Sequence, residues 1–229
     1  KASGYRYALY KKLLAERYPG EDIILRRYVS DAYDFSQVEK LYEERDPSRP
    51  FFLFNVTMQT HSSYNQVFDN FDQEIYLTST KKEYPKTDQY LSLIKETDDA
   101  FRDLIEYFSG QTEPTIILMF GDHQPGVMIP EHYVDCVESI DMDYIVPYFL
   151  WANYDLDFDA PEYTSPNYLS AILKKNAGMT LTPWDQFRLD MMEQYPVMTA
   201  GFILDKDGNR VGKEGLKDYE LVQYMRIFG

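Results

Sequence analysis

Cysteine is nearly absent. Cys136 is the one such residue in the chain, which excludes an intrachain disulfide and any thiolate metal cluster. Glycine and proline are scarce, 11 and 12 residues spread along 229 with no low-complexity run or repeat period. A long internal linker therefore has no compositional support, and one compact domain is expected. No apolar stretch approaches the roughly 18 to 20 residues of a membrane span, and no signal-peptide pattern opens the chain, so the segment as given reads as soluble. It begins at Lys1 rather than at Met, and helix-like sequence follows at once, which suggests that a segment has been removed upstream. Positive charge is in deficit: 23 Lys and Arg against 38 Asp and Glu leave a formal charge of -15. That balance opposes binding to nucleic acid or to an anionic membrane surface, because long-range repulsion acts before any specific contact. A polyanionic partner then needs a local positive centre, and a bound divalent metal would supply one.

Apolar material is plentiful, with 44% hydrophobic residues, 21 Tyr and 14 Phe, enough for one core of ordinary domain size. Tyr5 to Tyr18 has helical spacing that Pro19-Gly20 ends. A second helix is expected after Asp34 and Ser36, through Val38, Leu41 and Tyr42, ending at Asp46-Pro47. Phe51 to Thr57 is an almost unbroken apolar run behind Pro50, the pattern of a strand covered on both faces of a parallel sheet. Tyr90 to Phe108 carries Leu91, Ile94, Phe101, Leu104, Ile105 and Phe108 at helical spacing, closed by Gly110. Thr115 to Phe120 reads as a second buried strand, Val146 to Trp151 as a third, and Tyr168 to Asn176 as a helix stopped by Gly178. Near the end, Phe202 to Leu204 and Val211 flank a hairpin turn at Asp205-Lys206-Asp207-Gly208-Asn209. Strand and helix in alternation predict an α/β fold, a largely parallel sheet sandwiched by helices, with a carboxy-terminal hairpin. Ligands gather beyond the carboxyl ends of such strands, where His61 and the Asp122-His123 pair fall by position.

Gly121-Asp122-His123 is the decisive segment. Adjacent side chains point to opposite faces of a strand, so both reach one ion only where the strand has ended; Gly121 permits the turn and Pro125 stiffens its exit. A carboxylate oxygen beside a neutral imidazole suits Zn or Mn better than Ca or Mg. The competing view is that Asp122 caps a turn and His123 bonds within it. His61 could donate to a phosphoryl or sulfuryl oxygen or ligate metal, and it could equally be a loop residue packed on Tyr64. His132 is assigned no role. Asp205 to Asn209 is similar to a calcium loop, but Arg210 and Leu216 stand where that loop needs glycine and glutamate. Asp141-Met142-Asp143 is most simply the solvated entry to a strand, and the sequon Asn55-Val56-Thr57 lies in an expected buried strand.

Phe51 to Tyr64, Phe-Phe-Leu-Phe-Asn-Val-Thr-Met-Gln-Thr-His-Ser-Ser-Tyr, and Thr115 to Pro125, Thr-Ile-Ile-Leu-Met-Phe-Gly-Asp-His-Gln-Pro, together resemble the lipoteichoic acid synthase branch of the sulfatase and alkaline phosphatase superfamily. Tyr28-Val29-Ser30-Asp31 and Val146 to Trp151 look like weaker segments of the same family, so the likeness covers about Arg26 to Leu204. The resemblance implies an incomplete alkaline phosphatase/sulfatase-like fold, the carboxy-terminal portion of a catalytic domain spanning 1–229. It implies Asp122 and His123 as two of four ligands to one divalent ion, usually Mn, with Mg or Zn as alternatives. It places His61 and Gln124 on the substrate side. In relatives a threonine nucleophile attacks phosphorus and passes a phosphoglycerol group to a polymer or glycolipid hydroxyl, helped by the metal. That nucleophile and the remaining acidic ligand precede anything matched by Lys1 to Asp31, so this chain is expected to lack them, and alone to bind metal weakly and turn over little. The implied partners are an anionic lipid or polymer and the missing amino-terminal part of the domain. The implied site of action is the outer face of the cell membrane, with a membrane-anchored parent. A sulfatase or phosphodiesterase that uses water as acceptor, or a non-catalytic envelope-binding module, are the alternatives.

Overall fold

The computed structural model describes residues 23–78, 82–127, 144–199, 201–212 and 216–228. The expected helix at Tyr5 to Tyr18, together with His132, Cys136 and Asp141 to Asp143, lies outside these residues. The described residues fall into two compact units, one within Lys1–Thr112 and Pro125–Val134, the other within Glu113–Gln124 and Asp135–Gly229. Among the described residues, no helix is long and apolar enough to cross a membrane.

The first unit opens with a tight antiparallel hairpin, β1 (Ile24–Leu25) and β2 (Tyr28–Val29), with Arg26 and Arg27 as its two turn residues. Helix α1 (Asp31–Glu43) follows immediately and starts three residues before Asp34. Ser30 is the reason: its side chain accepts from the Tyr33 N–H, and Asp31 and Asp34 place negative charge in the first turn. Phe35 and Tyr42 are buried while Leu41 is exposed, so the inward face is aromatic. It packs on α2 (Pro85–Ser109), with Phe35 edge-on to Phe101 at 6.3 Å and Tyr42 edge-on to Phe108 at 5.1 Å. The core line of α2 runs through Leu93, Ala100, Leu104 and Phe108, rotated from the expected stripe, and Ile94 faces solvent. Polar demand rotates it: Ser92 and Asp88 are buried because they hold the backbone N–H groups of Glu74, Ile75 and Leu77.

The expected buried strand at Phe51 to Thr57 does not form. The segment has no regular secondary structure, and Phe52 and Phe54 are 81% and 69% exposed. An apolar run becomes a strand only where a neighbour takes up its backbone hydrogen bonds, and among the described residues none does. Its anchors are side-chain contacts instead: Phe51 edge-on to Tyr42 at 6.1 Å, and the Asn55 amide donating to the Asp34 carboxylate.

Asp31 has the least favourable buried position in this unit. Its carboxyl is fully buried; Oδ2 accepts from Thr97 Oγ1 at 2.7 Å, whereas Oδ1 has no hydrogen-bond partner among the described residues. Gln59 closes the cluster, accepting from the Asp31 N–H at 2.9 Å and donating to Thr97 Oγ1 at 3.1 Å. Burial pushes the Asp31 carboxyl up to about 6, against the Thr97 hydrogen bond and with the Asp34 charge adding to the rise. The folded chain therefore keeps a proton that the unfolded chain releases near 3.8. Stability is fully present below about pH 4 and falls as pH rises through about 6, by about 3 kcal/mol at roughly 1.4 kcal/mol per unit. Asp31→Asn should abolish that decline. Urea midpoints measured from pH 4 to 7 check it, and an equal slope in the variant would refute the assignment.

In the second unit, β3 (Ile116–Phe120) pairs with β4 (Tyr148–Ala152) in register from Ile116 opposite Ala152 to Phe120 opposite Tyr148. The pairing is antiparallel, as is every described ladder, so the expected largely parallel sheet is not seen among these residues. Strand–helix alternation predicted parallel neighbours, but the long connection between β3 and β4 returns the chain alongside itself in the opposite sense. Helix α3 (Pro166–Asn176) begins with proline at its first position and ends at Gly178, φ 65, where the N–H groups of Gly178 and Met179 bond back to Lys175 and Lys174. Helix α4 (Pro183–Gln194) was not expected, although Thr182-Pro183-Trp184-Asp185 is a capping box with proline at N1. The expected hairpin is present as β6 (Ile203–Leu204) and β7 (Arg210–Val211), and β5 (Val197–Met198), which was not expected, pairs with β6 to make a three-stranded antiparallel sheet. Asp205 Oδ1 accepts from the N–H groups of Asp207 and Asn209 within its turn, and Gly208 takes φ 80. Helix α5 (Lys217–Phe228) completes the unit. Tyr168, Leu169, Ile172, Leu189, Ile203 and Tyr219 form its core.

Candidate active site

Strand β3 delivers Asp122 and His123 to an exposed edge of the second unit. The ladder continues one residue past Phe120, where the Gly121 N–H donates to the Pro147 carbonyl at 3.1 Å. A Cβ on Gly121 would come within 3.1 Å of the Val146 Cβ, so any larger residue there would press on that side chain. Beyond it the chain leaves the sheet, and the Gln124 amide donates to the Ile145 carbonyl, pinning the loop from its far side.

Between these two anchors the side chains converge. Asp122 Oδ2 and His123 Nε2 are 3.6 Å apart, with the side chains 85% and 67% exposed. His123 Nδ1 lies 2.8 Å from the Gln124 carbonyl oxygen, a group that can only accept. Nδ1 therefore carries the proton, and in the neutral ring Nε2 turns its lone pair toward the carboxylate. Two acceptors facing each other at this distance repel unless a cation or a proton lies between them. Donors held about 2.1 Å from one tetrahedral ion stand about 3.4 Å apart, so the pair fits a shared divalent cation, with the carbonyl fixing the tautomer from behind. Among the described residues, no group of three or more His, Cys, Asp or Glu side chains gathers to hold a metal; Asp122 and His123 stand as a pair.

His61 belongs to the first unit. It sits after a turn at Gln59-Thr60, its N–H bonded to the Met58 carbonyl at 3.1 Å, and its ring is exposed, edge-on to Tyr28 at 5.6 Å. It does not pack on Tyr64, whose hydroxyl donates to the Thr60 carbonyl and whose ring meets Tyr90. Gln124 directs its amide nitrogen into the fold, toward Ile145. Sequence reasoning missed Arg26 and Tyr28, which hold the His61 loop from the β1–β2 hairpin. The one available signal was a pair of arginines in a two-residue turn between apolar dipeptides.

A family model described as Sulfatase matches residues 3–176, three quarters of the chain. The chain belongs to the sulfatase family. A Rhizobium meliloti (strain 1021) protein described as "Putative cyclic beta-1,2-glucan modification protein" is 25% identical over 226 residues, covering 86% of this chain and 34% of that protein. The Streptococcus pyogenes phosphoglycerol transferase GacH, solved in complex with sn-glycerol-1-phosphate, superposes with a TM-score of 0.61 at 20% identity, covering 79% of this chain and 46% of GacH. That likeness establishes a sulfatase-type α/β fold. The chain spans about a third of the first relative and just under half of the second.

Proposed function

We propose that the full-length protein is a metal-dependent phosphoglycerol transferase, moving a phosphoglycerol-type group from a lipid donor to a cell-envelope polymer or glycolipid. The observation that carries the proposal is the Asp122–His123 pair in a sulfatase-family chain: two donors 3.6 Å apart, with the imidazole proton held on the side away from the carboxylate. Asp122 and His123 would hold the ion, Mn being the first choice and Mg or Zn the alternatives for one oxygen and one nitrogen donor. When bound, the ion supplies a positive centre that screens charge on phosphoryl oxygens in a strongly acidic protein. His61 contacts a phosphoryl oxygen, Gln124 braces the ligand loop, and the nucleophile lies outside this chain. GacH is described as a phosphoglycerol transferase and the Rhizobium protein as a "Putative cyclic beta-1,2-glucan modification protein"; the first description supports transfer of a phosphoglycerol group and the second a glucan as its acceptor. The outer face of the membrane follows from that choice of acceptor. Hydrolysis of a sulfate or phosphate ester is the second reading, favoured by the description of the matching family model.

The test uses the full-length protein, Mn and a phosphatidylglycerol donor, following glycerol phosphate released to water and to a glucan acceptor separately. Transfer to the glucan supports the proposal, and release to water alone replaces it with the hydrolase. In the same assay His61→Gln should lower kcat/KM about 10- to 100-fold, the worth of one hydrogen bond to a charged group. Mn affinity should stay unchanged, and an equal loss of Mn affinity would make His61 a ligand instead.

A further inference from the structure

Arg26 occupies the β1–β2 turn with φ 53, a left-handed conformation that costs a non-glycine residue energy. Its side chain shows what the conformation achieves. The guanidinium is 4% exposed, and its terminal nitrogens donate to the carbonyls of Gln59 at 3.2 Å, His61 at 2.7 Å and Ser63 at 3.0 Å. The Tyr64 ring lies 5.4 Å from the same cation. Three alternate carbonyls of one short loop converge on a planar fork that offers its donors in fixed directions. The backbone on either side of the His61 side chain is thereby held in one arrangement.

Tyr28, two residues further along the hairpin, acts on the imidazole itself. Its hydroxyl donates to the Ser62 carbonyl at 2.9 Å and lies 3.1 Å from His61 Nδ1. Nδ1 is also 3.0 Å from the Ser62 carbonyl. A phenol has one proton, and with that proton on Ser62 its oxygen faces Nδ1 as an acceptor. Both neighbours of Nδ1 therefore accept, and Nδ1 must donate. Nε2 is then the nitrogen whose state is free to vary: a lone pair in the neutral ring, an N–H in the imidazolium.

We infer that Tyr28 is a positioning residue that fixes His61 in its Nδ1–H form, on a loop clamped by Arg26, so that His61 presents Nε2 outward. Resting on the proposed role of His61 as a phosphate contact, this makes the imidazolium the form that donates to an anionic phosphoryl oxygen, since the neutral ring offers no N–H there. The inference adds a residue from another element of the fold to that site.

Long-range proton–nitrogen NMR correlations of the full-length protein, labelled with 15N-histidine, read the tautomer directly. With the ring neutral, His61 should show a protonated Nδ1 and an unprotonated Nε2, its signals identified by their loss in His61→Gln. Tyr28→Phe keeps the ring that packs edge-on to the imidazole, removes the hydroxyl and leaves the Ser62 carbonyl as the one remaining acceptor at Nδ1, and should move those shifts part of the way toward the Nε2–H tautomer. An Nε2–H ring in the unaltered protein, or an unchanged spectrum in Tyr28→Phe, would overturn the inference. With sn-glycerol-1-phosphate as the probe, Tyr28→Phe should weaken binding about fivefold, the scale of one neutral hydrogen bond. A tautomer change with unaltered affinity would uphold the positioning role and remove His61 from the phosphate site.

Discussion

Replacing Asp122 with alanine in the full-length protein is expected to lower kcat/KM by at least 100-fold and to remove measurable Mn binding, while leaving the thermal midpoint of the metal-free protein within about a degree. The two halves of that expectation come from different physics. Loss of a residue that merely supports a metal ligand already costs about 10- to 100-fold in affinity or activity, so loss of a ligand costs more. Stability should not follow, because the side chain is 85% exposed and exposed substitutions of this kind usually stay within about 0.5 kcal/mol. Removing the carboxylate also relieves its repulsion with the Nε2 lone pair of His123, 3.6 Å away. In unaltered protein, saturating Mn should raise the midpoint, because an ion that binds the folded state preferentially stabilises it in proportion to the logarithm of its concentration over Kd. Asp122→Ala should abolish that rise. Calorimetry showing unchanged Mn binding in the variant would remove Asp122 from the site.

The juxtaposition of Asp122 and His123 was legible because its signal is local. Gly-Asp-His at the end of an apolar run states, within three residues, that a strand ends and that two donor groups leave it together, and the structure brings them within 3.6 Å. Gly121 was expected for its freedom to turn, but its φ lies outside the left-handed region, and what bears on it instead is the Val146 side chain, well along the chain. The helices ending at Ser109 and Asn176, and the hairpin around Gly208, were legible on the same local terms, through period and terminating glycines. Strand pairing was not. Phe51 to Thr57 and Ile116 to Phe120 have nearly the same apolar composition, yet the second finds a ladder partner in Tyr148 to Ala152 and the first finds none among the described residues. Composition reports what a segment can bury, whereas partner and direction depend on residues about thirty positions away. The hold on His61 was illegible for a related reason, since Arg26 acts through carbonyl oxygens that every residue has. The capping box at Thr182, by contrast, was written locally and overlooked, because attention to apolar period passes over a helix whose first turn is Pro-Trp-Asp.

Asp185→Ala is expected to destabilise the second unit by about 3 to 5 kcal/mol, the largest stability effect of any substitution considered, with the loss concentrated at α3 and α4. The carboxylate is 1% exposed and meets four donors: the Thr182 N–H at 3.0 Å and hydroxyl at 2.7 Å, Lys174 Nζ at 2.9 Å from one oxygen and 3.1 Å from the other, and an Arg188 nitrogen at 2.6 Å. Oδ1 thus accepts from the two cations and Oδ2 from Lys174 and both Thr182 groups, and the capping box of α4 and the tie between α4 and α3 depend on the same group. Truncation would leave the mostly buried guanidinium of Arg188, 10% exposed, facing Lys174 without its counter-charge. Breaking a buried ion pair from one side costs on that scale because the remaining charge stays desolvated, and the N3 half of the capping box is lost with it, while the Thr182 hydroxyl keeps its bond from the residue-185 N–H. Lys175→Ala is the matched control. It breaks the 2.6 Å pair with Asp159, but both side chains are about half exposed or more, so it should cost less than about 1 kcal/mol. Similar losses in the two variants, measured by urea unfolding with near-ultraviolet circular dichroism, would overturn the assignment. The pH dependence gives a second check with a defined sign. Burial raises the Asp185 pKa, but the hydrogen bonds from Lys174, Thr182 and Arg188 outweigh it and hold the group well below the usual carboxylate range. Its stabilising contribution is therefore complete above the unfolded value of 3.8 and declines as pH falls below it. Asp31, raised to about 6, acts in the opposite direction at higher pH. Acid should thus weaken the protein through the second unit below about pH 4, and neutral pH through the first, and Asp185→Ala should remove the acid limb while leaving the decline between pH 4 and 6 intact.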